Sequence, residues 1–127
     1  KELLERIDKA REDDNVVEIG PGQGALTDAL FEGGCAIKAI EIDRDLQSQL
    51  RVMFFNRDFT LFNFDALKFD FNELSGGDHD LRIVGNLPYN ISTPLIFKLL
   101  THLPIVRDMH FMLQKEVVDR LAARPGN

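Results

Sequence analysis

The chain has 127 residues, nine Gly, five Pro and 44% apolar residues, which suits one ordinary globular domain and excludes a disordered or fibrous chain. No apolar run approaches the ~18 residues of a membrane-spanning helix, and one cysteine, Cys35, excludes an internal disulfide or multi-cysteine zinc site and points to a reducing compartment. Fifteen Lys plus Arg against twenty-one Asp plus Glu leave a net charge of −6, which alone counts against a nucleic-acid partner.

In chain order, Leu3, Leu4 and Ile7 share one face of a helical pattern that has no capping residue before it. Residues 16–19 read as a buried strand, followed by Gly20-Pro21-Gly22-Gln23-Gly24 and a helix over about 25–31. Residues 36–42 form a second strand pattern and 46–54 a second helix; a third strand falls near 60–63. A fourth covers 81–85, with a helix after Pro94 running to about Leu100; a fifth covers 109–113, with 116–123 helical behind it. The turn signal Arg124-Pro125-Gly126-Asn127 closes the chain. A helix without a start and a turn leading to no further element give the expectation of an excerpt of a longer protein. Strands separated by helices imply parallel crossovers and a doubly wound, mostly parallel α/β sheet covered on both faces. In such sheets ligands bind beyond the carboxyl ends of the strands, at the topological switch point.

The residues after each strand therefore carry the functional reading. After the first, the glycines let the backbone turn tightly into the helix and let a ligand approach without meeting a Cβ. Gly20-x-Gly22-x-x-Ala25 satisfies the dinucleotide fingerprint, while Glu18-x-Gly20-x-Gly22-x-Gly24 is the pattern of S-adenosylmethionine-dependent methyltransferases. The loop alone leaves both open, along with a purely structural turn. After the second strand, Glu41 offers an acceptor-only carboxylate that suits both hydroxyls of a ribose; Asp43 is the alternative, unless it caps the following helix. After the third, Asp65, followed by Ala66-Leu67, suits an adenine amino group, or else caps a turn. These positions together indicate a nucleoside-containing ligand.

After the fourth strand comes Asn86-Leu87-Pro88-Tyr89, which could simply be a turn ended by Pro88. Its chemical reading starts from the exocyclic nitrogen of adenine, a poor nucleophile because its lone pair is delocalised into the ring. An Asn side-chain oxygen and a free backbone carbonyl can each accept one N–H, leaving the lone pair facing an incoming methyl. The residue before a proline is extended and Pro88 donates no N–H, so carbonyls in this turn can stay free. Tyr89 can stack on the target base. A sulfonium leaving group is already activated, so no strong general base is required.

These stretches resemble the adenine N6-methyltransferases of ribosomal RNA, in particular the bacterial small-subunit rRNA dimethyladenosine transferases. The resemblance runs through Val17-Glu18-Ile19-Gly20-Pro21-Gly22-Gln23-Gly24-Ala25-Leu26-Thr27, Glu41-Ile42-Asp43-Arg44-Asp45-Leu46, Asp65-Ala66-Leu67, residues 84–95 (VGNLPYNISTPL) and residues 109–118 (MHFMLQKEVV). It implies a Rossmann-like class I methyltransferase fold, normally of seven strands, of which five are readable here. It implies S-adenosylmethionine as cofactor, held by Glu18, Gly20, Gly22, Gly24, Glu41, Ile42, Asp65, Ala66 and Asn86, and a target-adenine motif of Asn86, Leu87, Pro88 and Tyr89. It also implies N6,N6-dimethylation of two adjacent adenosines near the 3′ end of 16S rRNA, in an immature small subunit, by a cytoplasmic and monomeric enzyme needing no metal and no membrane. Family members begin with a basic segment whose Asn and Leu touch the cofactor, and continue through further strands into a helical domain. Neither part is matched here. The expectation is that 1–127 is a partial cofactor-binding domain, inactive alone, and that the missing parts carry much of the RNA-binding surface.

Other readings stay in play: a large-subunit rRNA methyltransferase of the macrolide-resistance type, a non-catalytic RNA- or cofactor-binding module of ribosome assembly, and a NAD-dependent oxidoreductase. Seven of the ten phenylalanines fall between Phe54 and Phe71. They are expected in the core rather than as a base-stacking platform, because few cations lie among them. Asp78-His79-Asp80 reads as a solvated loop rather than a metal site. Lys115, Glu116, Asp119 and Arg120 read as the polar face of a helix, His110 as a packed core histidine, and Cys35 as a small buried or half-buried hydrophobe.

Overall fold

A computed structural model describes residues 13–87 and 89–112, with Tyr89 described by its backbone alone. Five strands, β1 (Asn15–Ile19), β2 (Ile37–Glu41), β3 (Phe59–Asn63), β4 (Leu81–Asn86) and β5 (Val106–Met112), alternate with α1 (Ala25–Phe31), α2 (Arg44–Met53) and α3 (Tyr89–Leu100). Short 3-10 turns at Phe71–Leu74 and Leu103–Ile105 complete the connections among the described residues. All four strand pairings are parallel, in the order β3-β2-β1-β4-β5. The chain winds outward from β1 to β3, then crosses back to β4 on the other side of β1. That reversal puts the switch point between β1 and β4, where a doubly wound sheet opens its crevice.

Side chains alternate along the strands, so each face of the sheet has its own core. Val16, Ile37, Ala39, Leu61 and Val84 pack with Leu30 and Phe31 of α1, Leu50 of α2 and Phe54. Val17, Ile19, Ile40 and Ile83 point the other way and pack with Leu95 and Leu99 of α3, Phe69 and Phe71. Burial on both faces is what lets strands this short read as nearly continuous apolar runs.

Two elements begin three or more residues earlier than their patterns indicate. The spacing places the last described helix after Pro94, the residue favoured at a helix start. Instead α3 starts at Tyr89 and carries Pro94 inside it. The hydrogen bond that Pro94 cannot donate would go to the carbonyl of Asn90, one turn back, and Asn90 is exposed, so water can serve that oxygen. β5 starts at Val106 rather than Met109 because its polar beginning is paired. Arg82, 2% exposed on β4, binds both carboxylate oxygens of Asp108 and also Asp14, which in turn accepts from Arg107. The pairing slips by one residue between Leu81 and Arg82, which accommodates this ion cluster. The Leu3-Leu4-Ile7 stripe, the 116–123 helix with Lys115, Glu116, Asp119 and Arg120, and Leu113 lie outside the described residues.

Of the phenylalanines between 54 and 71, Phe54, Phe69 and Phe71 are buried, and Phe59 and Phe62 pack against the cores. Phe55 and Phe64 depart from the expected core placement, at 82% and 50% exposed. His110 is half-buried rather than in the core, with Nε2 3.4 Å from Asp108 Oδ2. Asp80 accepts from the Gly76 N–H and from Asn15 Nδ2, both at 2.7 Å, which ties its loop to the start of β1. Cys35 is buried; its thiol donates to the Leu30 carbonyl, and burial pushes its pKa up.

Candidate functional site

The glycine loop, Glu41, Asp65 and Asn86 follow four neighbouring strands and so meet along one edge of the sheet. Three glycines of the loop adopt left-handed backbone, with φ of 64° at Gly20, 59° at Gly22 and 88° at Gly24, a region that side chains with a Cβ rarely enter. A Cβ on Gly20 would meet nothing within 4 Å, so the first glycine faces open space. Gly24 differs: a Cβ there would come within 3.0–3.2 Å of the Phe54 ring, so this glycine serves close packing of α1 on the core.

Backbone bonds hold the loop against β2. The Gly20 N–H donates to the Ile40 carbonyl at 2.9 Å, and the Gly22 N–H to Glu41 Oε1 at 3.3 Å. Glu41 Oε2 accepts from the Asp43 N–H at 3.1 Å. Each carboxylate oxygen has a second lone pair, so the fixed Glu41 can still accept from a ligand diol. Asp43 takes the other course open to it. Its Oδ1 accepts from the Asp45 and Leu46 N–H groups and caps α2. Asp65 combines both of its readings: Oδ1 accepts from the Leu67 N–H at 2.9 Å, and the residue also lines a concavity.

Two concavities flank Gly20. One, of about 340 Å³, is lined by Glu41, Ile42, Asp65, Ala66 and Leu67 on one side and by Asn90 and Ile91 of α3 on the other, with Phe64 at its rim. The second, of about 300 Å³, is lined by Glu18, the loop from Gly20 to Gln23, Ala25, Leu26 and Asn86. The first is apolar with two carboxylates, the surroundings an adenosine needs; the second brings Glu18 and Asn86 together across the switch point. An S-adenosylmethionine laid over Gly20 is compatible with these donors and acceptors: diol acceptors in one hollow, a carboxyl and an amide in the other.

Glu18 is buried at 1% exposure on β1, hydrogen-bonded by the Thr27 hydroxyl of α1. Burial pushes its carboxyl up to about 7; the Thr27 bond works against that rise, and the negative charge of Glu41 adds to it. Asn86 ends β4, exposed beside the second hollow, while Leu87 behind it is buried and donates its N–H to the Met112 carbonyl. Pro88 and the Tyr89 side chain lie outside the described residues. Sequence reasoning missed Phe64, Asn90, Ile91 and Thr27. Thr27, Asn90 and Ile91 lie within the stretches that carry the resemblance, and Phe64 directly precedes Asp65.

A family model described as ribosomal RNA adenine dimethylase matches residues 1–127. The chain is 59% identical over 128 residues to the ribosomal RNA small subunit methyltransferase A of Hahella chejuensis, covering 98% of this chain and 47% of that protein. It spans about half the length of the curated relatives it matches. Among solved structures, a dimethyladenosine transferase from Plasmodium falciparum superposes with a TM-score of 0.77 at 30% identity, covering 98% of this chain and 44% of that one. The 23S rRNA methyltransferase ErmE superposes with a TM-score of 0.74 at 26% identity, over 91% and 45%. The fold and the match along the whole sequence agree: this chain belongs to the ribosomal RNA adenine dimethylase family.

Proposed function

We propose that the protein containing this chain uses S-adenosylmethionine to dimethylate N6 of two adjacent adenosines near the 3′ end of 16S rRNA. Its substrate is an immature small subunit, and it works as a cytoplasmic monomer. The observation that carries this reading is the convergence of Glu41, Asp65, the glycine loop and Asn86 on one sheet edge, in a chain of this family. When bound, the cofactor supplies an electrophilic methyl on a sulfonium.

Glu41 receives the two ribose hydroxyls, Asp65 the adenine amino group, and Ile42 and Ala66 give the apolar walls. Gly20 and Gly22 keep the loop free of side chains where the cofactor crosses it. Asn86 accepts one N–H of the target amino group and a carbonyl in the Leu87-Pro88 turn accepts the other, which fixes the nitrogen and frees its lone pair. Tyr89 stacks on the target ring. As the methyl joins the nitrogen, the C–S bonding pair returns to sulfur and the nitrogen releases a proton to solvent. The monomethylated nitrogen keeps one N–H, so a single acceptor of the pair orients it for the second transfer.

Asn86→Ala in the full-length protein should lower single-turnover methyl transfer to immature small subunits by ~10²-fold, the scale for removing one preorganised partner of a reacting group. Cofactor affinity should fall much less, because the main loss is orientation of the target nitrogen. Tyr89→Phe should be mild and Tyr89→Ala severe. A near-normal single-turnover rate in Asn86→Ala would refute the assigned role.

A further inference from the structure

We infer that Lys98 is a positioning residue that locks the two walls of the adenosine concavity against each other, and with them the helix that begins at the target-adenine motif. This rests on the cofactor reading given above and adds to it a residue outside every motif of the sequence.

Lys98 sits toward the C-terminal end of α3, on the helix that starts at Tyr89. Its ammonium donates to three backbone carbonyls of the connection after β3: Phe69 at 2.5 Å, Leu67 at 2.9 Å and Ala66 at 3.1 Å. An ammonium has three N–H donors, so all are engaged. The same connection provides Asp65, Ala66 and Leu67 to one wall of the concavity, and α3 provides Asn90 and Ile91 to the other. Lys98 thus bonds one wall to the other without itself lining the concavity.

The cation also fixes the shape of the connection. Three carbonyl oxygens converging on one point repel each other unless a cation or several donors stand between them. Among the described residues, the Leu67 and Lys68 N–H groups bond locally to Asp65 and do not tie the connection to the helix. Burial pushes the Lys98 pKa down, while the Asp65 and Asp70 carboxylates favour its charge. The Phe71 ring lies 5.3 Å from the ammonium and adds a cation–π contact. At its other end α3 follows Asn86, so a shift of α3 relative to Asp65 would move the target-base motif relative to the cofactor's adenine site.

A lysine that merely stapled a turn to a helix would change melting temperature and nothing else. The comparison is Lys98→Met against Val106→Ala in the full-length protein; Val106 is a buried residue at the opposite end of the sheet from the site. The dissociation constant of S-adenosylhomocysteine is measured calorimetrically at 25 °C, with melting temperature and kcat for methyl transfer at saturating cofactor. Lys98→Met should weaken binding by five- to twentyfold and also lower kcat, while Val106→Ala lowers the melting temperature with affinity within twofold of wild type. Lys98→Arg keeps the cation but exchanges a compact ammonium for a planar fork, and should weaken binding by threefold or more; it decides the matter if Lys98→Met does not fold. Affinity and kcat within twofold of wild type in the Lys98 variants, or an equal loss in Val106→Ala, would overturn the inference while leaving the cofactor reading intact. A wild-type protein that binds no S-adenosylhomocysteine overturns both.

Discussion

Two carboxylates at the same sheet edge differ because their neighbours differ. Glu41 accepts from two backbone N–H groups, and that pair of donors fixes its orientation. Glu41→Ala should therefore weaken cofactor binding by roughly 1.5–3 kcal/mol, the cost of losing a charged hydrogen-bonding partner. The control is Asp43→Ala, which removes only the cap of α2 and should cost about 1 kcal/mol of stability with little change in affinity. Calorimetry showing equal losses for the two would return the ribose role to Asp43. Glu18 has no such backbone donors among the described residues, and burial raises its pKa from 4.5 to about 7 against the opposing hydrogen bond from Thr27. A carboxyl whose folded-state pKa is raised binds its proton more tightly folded than unfolded. Its contribution to stability is complete below about 4.5 and is lost as pH climbs through 7. At about 1.4 kcal/mol per unit, the loss between pH 4.5 and 8 is on the order of 3 kcal/mol. Glu18→Gln should abolish this part of the pH dependence of the urea midpoint. A variant that still loses the same stability over that window would show that another group is responsible.

The strands bring these residues together, and one glycine sets how closely. Gly85 on β4 is paired with Ile19 on β1, and a Cβ at position 85 would lie 2.6 Å from the Ile19 carbonyl oxygen. Backbone cannot give way as a flexible side chain can, so Gly85→Ala must push β4 from β1 at the switch point itself. The expected cost is about 1–3 kcal/mol, as for other overpacked sites, together with weaker cofactor binding, because Glu18 and Asn86 stand on either side of the separated strands. An unchanged denaturant midpoint would mean the strands have slack there. Periodicity and loop chemistry made β1 to β4, α1, the glycine loop and the acids after the strands legible in advance, because each is encoded within a few consecutive residues. Other features were not legible for an equally physical reason. The early start of β5 depends on Asp108 meeting Arg82, the start of α3 on solvent at Asn90, and the walls at Phe64 and Ile91 on packing between distant segments. Lys98 carries no local signal at all, since its three acceptors lie some thirty residues earlier in the chain.

At the scale of the molecule, charge is divided between the two ends of the sheet. Glu18, Glu41 and Asp65 stand at the carboxyl edge, while Arg82, Asp14, Arg107 and Asp108 neutralise one another at the amino edge. Several cations are committed internally: Arg82 is buried in that cluster, Lys38 donates to Asn15, and Lys98 to three carbonyls. A chain of net charge −6 with its cations so engaged has little to offer a phosphate backbone. The dependence of RNA affinity on salt tests this directly, because each phosphate neutralised contributes a slope of about −0.7 to −0.9 in log K against log salt. For residues 1–127 and a 16S rRNA fragment, anisotropy titrations between 50 and 200 mM salt should give a slope no steeper than about −2. The dissociation constant should be weaker than ~10⁻⁵ M at the upper salt, within the range of non-specific binding. Adding S-adenosylhomocysteine should raise the melting temperature of the same chain, since a ligand that binds only the folded state stabilises it by mass action. Weak RNA binding beside a cofactor-dependent rise would place the RNA affinity of the proposed enzyme outside these 127 residues. A slope of −5 or steeper would instead show that exposed cations, Arg44, Arg51, Arg57 and Arg107 among them, form a phosphate-binding face despite the acidic balance of the whole.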